Sequence, residues 1–231
     1  QGVEIILHKK MPLGSGLGSS AASAVASAFA INELFGCPLR REELLPFAMR
    51  GEEVACGAAH ADNVAPSLLG GFVLIRSYQP LDVIKLRTPE ELYCALIHPQ
   101  IEVRTKDARE ILKKQIPLPD AITQWGNVGG LVAGLLMQDY ALIGRSLQDV
   151  IVEPARAILI PAFYEVKKVA WQAGALGTSI SGSGPSIFSL CQGRETAERV
   201  AKEKKEAFRN VGIESEVYVS KVNEIGPIIL D

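Results

Sequence analysis

Apolar residues along the chain recur in two rhythms, as short aliphatic runs and as longer stretches at helical spacing, with helix dominating the second half. Val3-Glu4-Ile5-Ile6-Leu7 reads as a strand. A glycine-rich stretch follows, then Ser19–Leu34, a helix whose first half is almost wholly alanine and serine and which Gly36 and Pro38 end. Small side chains on every face of that helix predict close packing against a sheet and other helices. Residues 42–53 predict a second helix. Strands are predicted at 72–75, 81–85 and 93–97, the first after Gly70-Gly71 and the last set apart by Pro89 and two glutamates. Helices follow at 105–114, 122–137 and 141–150, with Thr105 a good N-cap for the first. Pro161 stands where an N1 proline would open a helix over 162–173, which stops at Gly174. Residues 177–184 read as a glycine- and serine-rich connection, 186–191 as a strand, 195–210 as a charged amphipathic helix and 215–222 as a closing strand with alternating character. Strands and helices mixed without regular βα alternation make the fold class α+β. A boundary near Thr88 divides the chain into domains 1–88 and 89–231.

Composition narrows the function classes. A chain of 231 residues with 48% hydrophobic content can bury one large core or two small ones. A formal net charge of −2 gives no electrostatic support to a nucleic-acid or membrane-surface partner. Charged or polar residues interrupt every apolar run before it could span a bilayer. Cys37, Cys56, Cys94 and Cys191 are widely spaced without a CxxC pair, which argues against a zinc site or disulfide framework and fits a reducing cytoplasm. The chain opens on Gln1, already within the first strand-like run, without methionine or signal peptide, and reads as one whose natural N-terminus lies upstream.

The stretch from Pro12 to Ala22 carries the first chemistry: Pro12, Leu13, Gly14, Ser15, Gly16, Leu17, Gly18, Ser19, Ser20, Ala21 and Ala22. A glycine-rich turn opening directly into a helix leaves backbone N–H groups free at the positive end of the helix dipole, a setting suited to phosphate. It is not a Walker A loop, since Gly18 is followed by Ser19-Ser20 with no lysine, and it lacks the third glycine of a dinucleotide fingerprint. A second glycine/serine segment from Gly177 to Pro185 could line the opposite side of a phosphate site, or serve only as a strand connection.

Taken together, Pro12-x-x-x-Gly16-Leu17-Gly18-Ser19-Ser20-Ala21-Ala22 resembles the second motif of the GHMP small-molecule kinases, and Ser181-Gly182-Ser183-Gly184-Pro185 resembles their third. Glu52 with His60-x-Asp62-Asn63-Val64-Ala65-Pro66 and Gly70-Gly71, then Thr105-Lys106-x-Ala108-Arg109, then Glu153-Pro154-x-Arg156, are similar to the homoserine kinase branch in particular. The family's first motif and opening strands would lie upstream of Gln1. The resemblance implies a ribosomal-S5-like N-terminal domain, here incomplete, and a ferredoxin-like C-terminal domain, with ATP and substrate in the cleft between them.

The same resemblance implies roles. Backbone amides from Gly14 to Ser20, with Ser181, Gly182, Ser183 and Gly184, would cradle the phosphates of ATP, and Ser20 with Glu52 would hold Mg²⁺. His60, Asn63, Arg109 and Arg156 would bind L-homoserine, the arginines suiting its α-carboxylate through bidentate pairing. Asn63, Glu52 and Thr105 would be the catalytic groups, with Asp62 the alternative as base. Phosphoryl transfer relies mainly on positioning and charge stabilisation, so the expected proton acceptor is the γ-phosphate itself or solvent. A homodimer in the cytoplasm is also implied. Against this stand a mevalonate- or shikimate-type kinase of the same family and a non-catalytic binding protein of the same fold.

Overall fold

The structure, a computed structural model, describes residues 2–12, 14–57 and 59–230, so Leu13 of the glycine-rich loop lies outside the described residues. The chain forms two compact units. The first comprises residues 1–13, 18–87 and 223–231, and the second comprises residues 14–17 and 88–222.

In the first unit, α1 (Ser19–Leu34), a 3₁₀ turn (Arg41–Leu44), α2 (Leu45–Cys56) and α3 (Ala61–Leu69) precede a hairpin of β1 (Phe72–Tyr78) and β2 (Leu81–Leu86). Its core is the cluster of Ala21, Val25, Phe29, Leu44, Leu45, Ala48, Val64, Ala65 and Leu68. The α1 members recur every four residues, so this small-residue helix buries one stripe and packs on α2 and α3. The chain's last segment belongs here because Arg41 donates to the carbonyls of Ile225 and Pro227, and the Gly71 N–H donates to Asn223 O at 2.7 Å.

In the second unit, β3 (Leu92–Pro99), α4 (Thr105–Glu110), α5 (Leu118–Met137), α6 (Tyr140–Ser146), α7 (Glu153–Arg156) and α8 (Phe163–Gln172) precede β4 (Gly177–Ile180), β5 (Ile187–Gln192), α9 (Arg194–Asn210) and β6 (Ser215–Lys221). The strands form an antiparallel sheet in the order β4-β5-β3-β6. That is the split β-α-β-β-α-β order of a ferredoxin-like domain, as expected. Ala95, Cys191, Val200, Ile97, Phe163, Val166, Ile187 and Phe208 are among the buried residues that join the sheet to α8 and α9.

Several local expectations need correction. Residues 3–7 form no strand; Val3, Ile5, Ile6 and Leu7 are 46–75% exposed, and among the described residues no strand offers them a hydrogen-bonding ladder. Residues 177–180 are not a loop but β4, paired residue for residue with β5. Their polar side chains masked the strand, because the Thr178 and Ser189 hydroxyls bond each other at 2.8 Å inside the domain. Thr105 is the first helical residue of α4, with Arg104 as N-cap. Residues 42–53 divide into the 3₁₀ turn and α2. The helix expected over 141–150 ends at Ser146, and the Asp149 carboxylate accepts the Ile151 and Val152 N–H groups instead. Pro161 does not open α8, which starts after Ala162 in a left-handed conformation. Among the described residues no helix is long and apolar enough to cross a membrane.

One buried charge-bearing group lies in the second core. Lys204 on α9 is fully buried, and its Nζ donates to the carbonyls of Ala95 and Ile187 at 2.8 and 2.9 Å and meets Ser189 Oγ at 3.1 Å. Burial pushes its pKa down to about 7. A neutral amine satisfies this pocket, since it keeps both carbonyl bonds and can accept the Ser189 proton. Between that value and the ordinary lysine pKa the unfolded chain binds the proton and the folded one does not, so stability rises with pH. Urea unfolding is expected to show a gain of about 2 kcal/mol from pH 7 to pH 9. The gain should be absent in Lys204→Met, and equal profiles for the two proteins would mean that Lys204 stays charged in the fold.

Candidate functional site

Site residues expected from the sequence fall on both units. On the first, Gly18 is the N-cap of α1 in left-handed conformation (φ 73°), and the first intrahelical bond is Ala22 N–H to Gly18 O at 2.9 Å. By helix geometry the amides of Ser19, Ser20 and Ala21 have no intrahelical acceptor, and the first turn contains no acidic side chain to offset their partial charge. The hydroxyl of Ser19 is buried without a hydrogen-bond partner, at the same helix end. Ala21 is fully buried in the hydrophobic core, so only its backbone is available to a ligand.

The Ser20 hydroxyl donates to Glu52 Oε1 at 2.9 Å, and Glu52, on α2, is only 4% exposed. These two side chains converge although 32 positions apart in sequence. A hydroxyl and a buried carboxylate form a pair of hard oxygen donors, the ligand type that Mg²⁺ takes together with phosphate oxygens. The residues present therefore fit that cation. Asn63, in the first turn of α3, lies against the loop: its Oδ1 is 3.1 Å from where a Cβ on Gly18 would stand. His60 is the N-cap of α3, with extended backbone and a half-buried side chain. Asp62 is exposed, and its Oδ1 accepts the Asn63 N–H at 3.0 Å, a local turn contact of the kind that structural aspartates make at helix starts.

On the second unit, residues 14–17 of the glycine-rich loop are held by the segment from Ser181 to Ser186. Ser181 Oγ donates to Gly16 O at 2.9 Å, and Ser15, 1% exposed, accepts the Ser186 N–H through its carbonyl at 3.3 Å. The turn is closed by Ser181 N–H to Ser186 O and Gly184 N–H to Ser181 O, both 2.8 Å. Contact is so close that a Cβ on Gly16 would overlap Ser181 O and stand 2.7 Å from Gly184 O. The two glycine segments thus meet backbone to backbone on this unit.

The same turn reaches Arg156. Arg156 Nη1 donates to Gly182 O at 2.8 Å and its Nε to Ala108 O on α4 at 3.0 Å. Its pKa is lowered by burial and by the Arg109 guanidinium, partly offset by Asp149. Thr105 opens α4 one turn before Arg109, and both are exposed.

The groups that hold α7 carry no role in the sequence motifs. Asp149 caps the approach to it, and Glu153 is buried with its carboxylate bonded to Lys167 and Ser179. The available signal was an acidic residue followed by proline at a helix start, three residues before Arg156.

The chain matches two family models, the GHMP kinases N terminal domain over residues 1–71 and the GHMP kinases C terminal domain over residues 131–210. It is 57% identical over 227 residues to the homoserine kinase of Chloroherpeton thalassium, covering 98% of this chain and 71% of that protein. The homoserine kinase of Xylella fastidiosa is 41% identical, with 99% of this chain and 70% of that one covered. The crystal structure of homoserine kinase from Cytophaga hutchinsonii superposes with a TM-score of 0.94 at 64% identity, over 96% of this chain and 70% of that one.

Proposed function

The chain belongs to the GHMP kinase family, and we infer that it is an ATP-dependent phosphotransferase acting on the side-chain hydroxyl of L-homoserine. The observation that carries this reading is the 57% and 64% identity to homoserine kinases over nearly the whole chain. The products are O-phospho-L-homoserine and ADP, a step of threonine biosynthesis.

In this reading the amides of Gly14 to Ser20 and the Ser181–Gly184 turn bind the phosphates of ATP, and the free N–H groups at the start of α1 support it. Ser20 and Glu52 would hold Mg²⁺, which when bound neutralises charge on the transferring phosphoryl group. Arg109 and Arg156 bind the α-carboxylate, while His60 and Thr105 complete the substrate and phosphate contacts. Asn63, placed against Gly18, hydrogen-bonds the acceptor hydroxyl and aims it at the phosphorus. The hydroxyl oxygen forms the new P–O bond, the bond to the bridging β–γ oxygen breaks, and the proton passes to a phosphate oxygen or to solvent. A homodimer and a cytoplasmic location belong to the same proposal by family resemblance.

ADP release with L-homoserine, mevalonate and shikimate as acceptors tests the activity, with ³¹P NMR identifying the phosphorylated product. Turnover on homoserine is expected. Turnover only on another alcohol, or nucleotide binding without transfer, would overturn the reading. The absence of a dedicated base has its own test. Asp62→Asn is expected to change kcat by less than about tenfold, below the roughly 10²–10⁴-fold that a general base contributes. A loss of several orders of magnitude with unchanged melting temperature would assign the proton transfer to Asp62.

A further inference from the structure

We propose that Glu153 is a positioning residue for substrate recognition, acting through Arg156. This inference rests on the reading that Arg156 binds the substrate carboxylate. Helix α7 is one turn long, spanning Glu153–Arg156, and a single turn has no intrinsic stability to hold a side chain in place. Its orientation must come from tertiary bonds, and the buried Glu153 carboxylate supplies them. One oxygen pairs with Lys167 on α8, and the other accepts the Ser179 hydroxyl on β4 at 2.7 Å. Both carboxylate oxygens are thereby tied to the rigid layers of the second unit, the helix that covers the sheet and the sheet itself.

From this anchor the chain rises one turn to Arg156, whose two donated bonds end on Ala108 O of α4 and Gly182 O of the phosphate-binding turn. Arg156 therefore stands at the junction of the helix bearing Thr105 and Arg109 with the Ser181–Gly184 turn. Ser179 adds a second link, since it lies on β4 two residues before Ser181. A lost charge at Glu153 leaves Lys167 unpaired on one side and loosens α7 on the other. The consequence is a displaced guanidinium, with the hydrophobic clusters that join the sheet to α8 and α9 left chemically unaltered. Carboxylate recognition by a guanidinium is geometric, so a displacement of this kind weakens binding of substrates that carry the carboxylate and spares those that do not.

The test compares L-homoserine with 3-aminopropan-1-ol, which keeps the amine and the reacting hydroxyl but lacks the carboxylate. Glu153→Gln is expected to raise the KM for homoserine about tenfold, with kcat and the KM for ATP within about threefold of the parent protein. Its kcat/KM on 3-aminopropan-1-ol should equal that of the parent. Glu153→Asp, which keeps the charge, is expected to recover part of the homoserine KM. Equal losses on both acceptors, or an unchanged homoserine KM, would overturn the proposal. Arg156→Met separates the two levels. If it leaves the homoserine KM unchanged, the carboxylate reading of Arg156 is wrong. If it raises that KM and Glu153→Gln does not, only the positioning role fails. Should Glu153→Gln not fold, Ser179→Ala removes one of the two anchoring bonds, and the same comparison of acceptors is read from it.

Discussion

Gly16→Ala is expected to lower kcat/KM for ATP at least about a hundredfold, equivalent to about 2.7 kcal/mol of lost transition-state stabilisation. Two effects add at this position. The backbone is left-handed at φ 74°, which costs a residue with a Cβ roughly 1–2 kcal/mol. The added methyl would also overlap the Ser181 carbonyl and crowd Gly184 O, and these are backbone atoms that cannot rotate aside. Residues 14–17 must then leave the 181–186 turn, and the paired glycine segments proposed to bind phosphate come apart. Gly14→Ala is the control: it has a similar φ of 64° but nothing within 4 Å of the new methyl. It is expected to carry only the backbone penalty, so its kcat/KM should fall by about tenfold or less. Steady-state kinetics with melting temperatures distinguishes the cases. Equal effects of the two substitutions would show that the contact with the 181–186 turn is dispensable.

Glu52→Gln is expected to lower kcat by about 10²–10³-fold, the scale on which removing a single preorganised electrostatic group from an active site acts. The substitution preserves volume and leaves an amide oxygen for the Ser20 hydroxyl, so melting temperature should change little. What disappears is the negative charge of a carboxylate that is 4% exposed, the charge that would attract a divalent cation in the proposed site. The concentration of Mg²⁺ needed for half-maximal rate should therefore rise together with the fall in kcat. A variant with full activity but a lowered melting temperature would make Glu52 a structural partner of Ser20 and nothing more.

Local chemistry made some of this molecule readable in advance. The helix at roughly Ser19 to Leu34 was legible because a glycine-rich turn opens it and Gly36 and Pro38 close it. The glycine-rich turn was legible for the same reason, and Gly14, Gly16 and Gly18 all take positive φ there. The edges of α4 and α6 were not. The C-terminal end of α6 is followed by a side-chain bond, Asp149 capturing the Ile151 and Val152 amides, that no periodicity encodes. Strand β4 was missed because its polar residues face partners rather than water: Thr178 meets Ser189 and Ser179 meets Glu153. The reverse error befell residues 3–7, where an apolar run suggested a strand, yet a strand exists only where another chain segment completes its hydrogen bonds.

The sequence by itself determined the glycine-rich turn that opens a helix, the α+β class and, through motif order, the family, because these rest on backbone conformational preferences and on residue types at short spacing. The tertiary structure alone decided that Ser20 meets Glu52, that Gly16 is locked against Ser181, that Arg156 is shared between Ala108 and Gly182, and that Glu153 anchors the turn carrying it. Each of those contacts joins residues 26–165 positions apart in sequence. Such pairings are set by the packing of whole elements, which no local pattern contains.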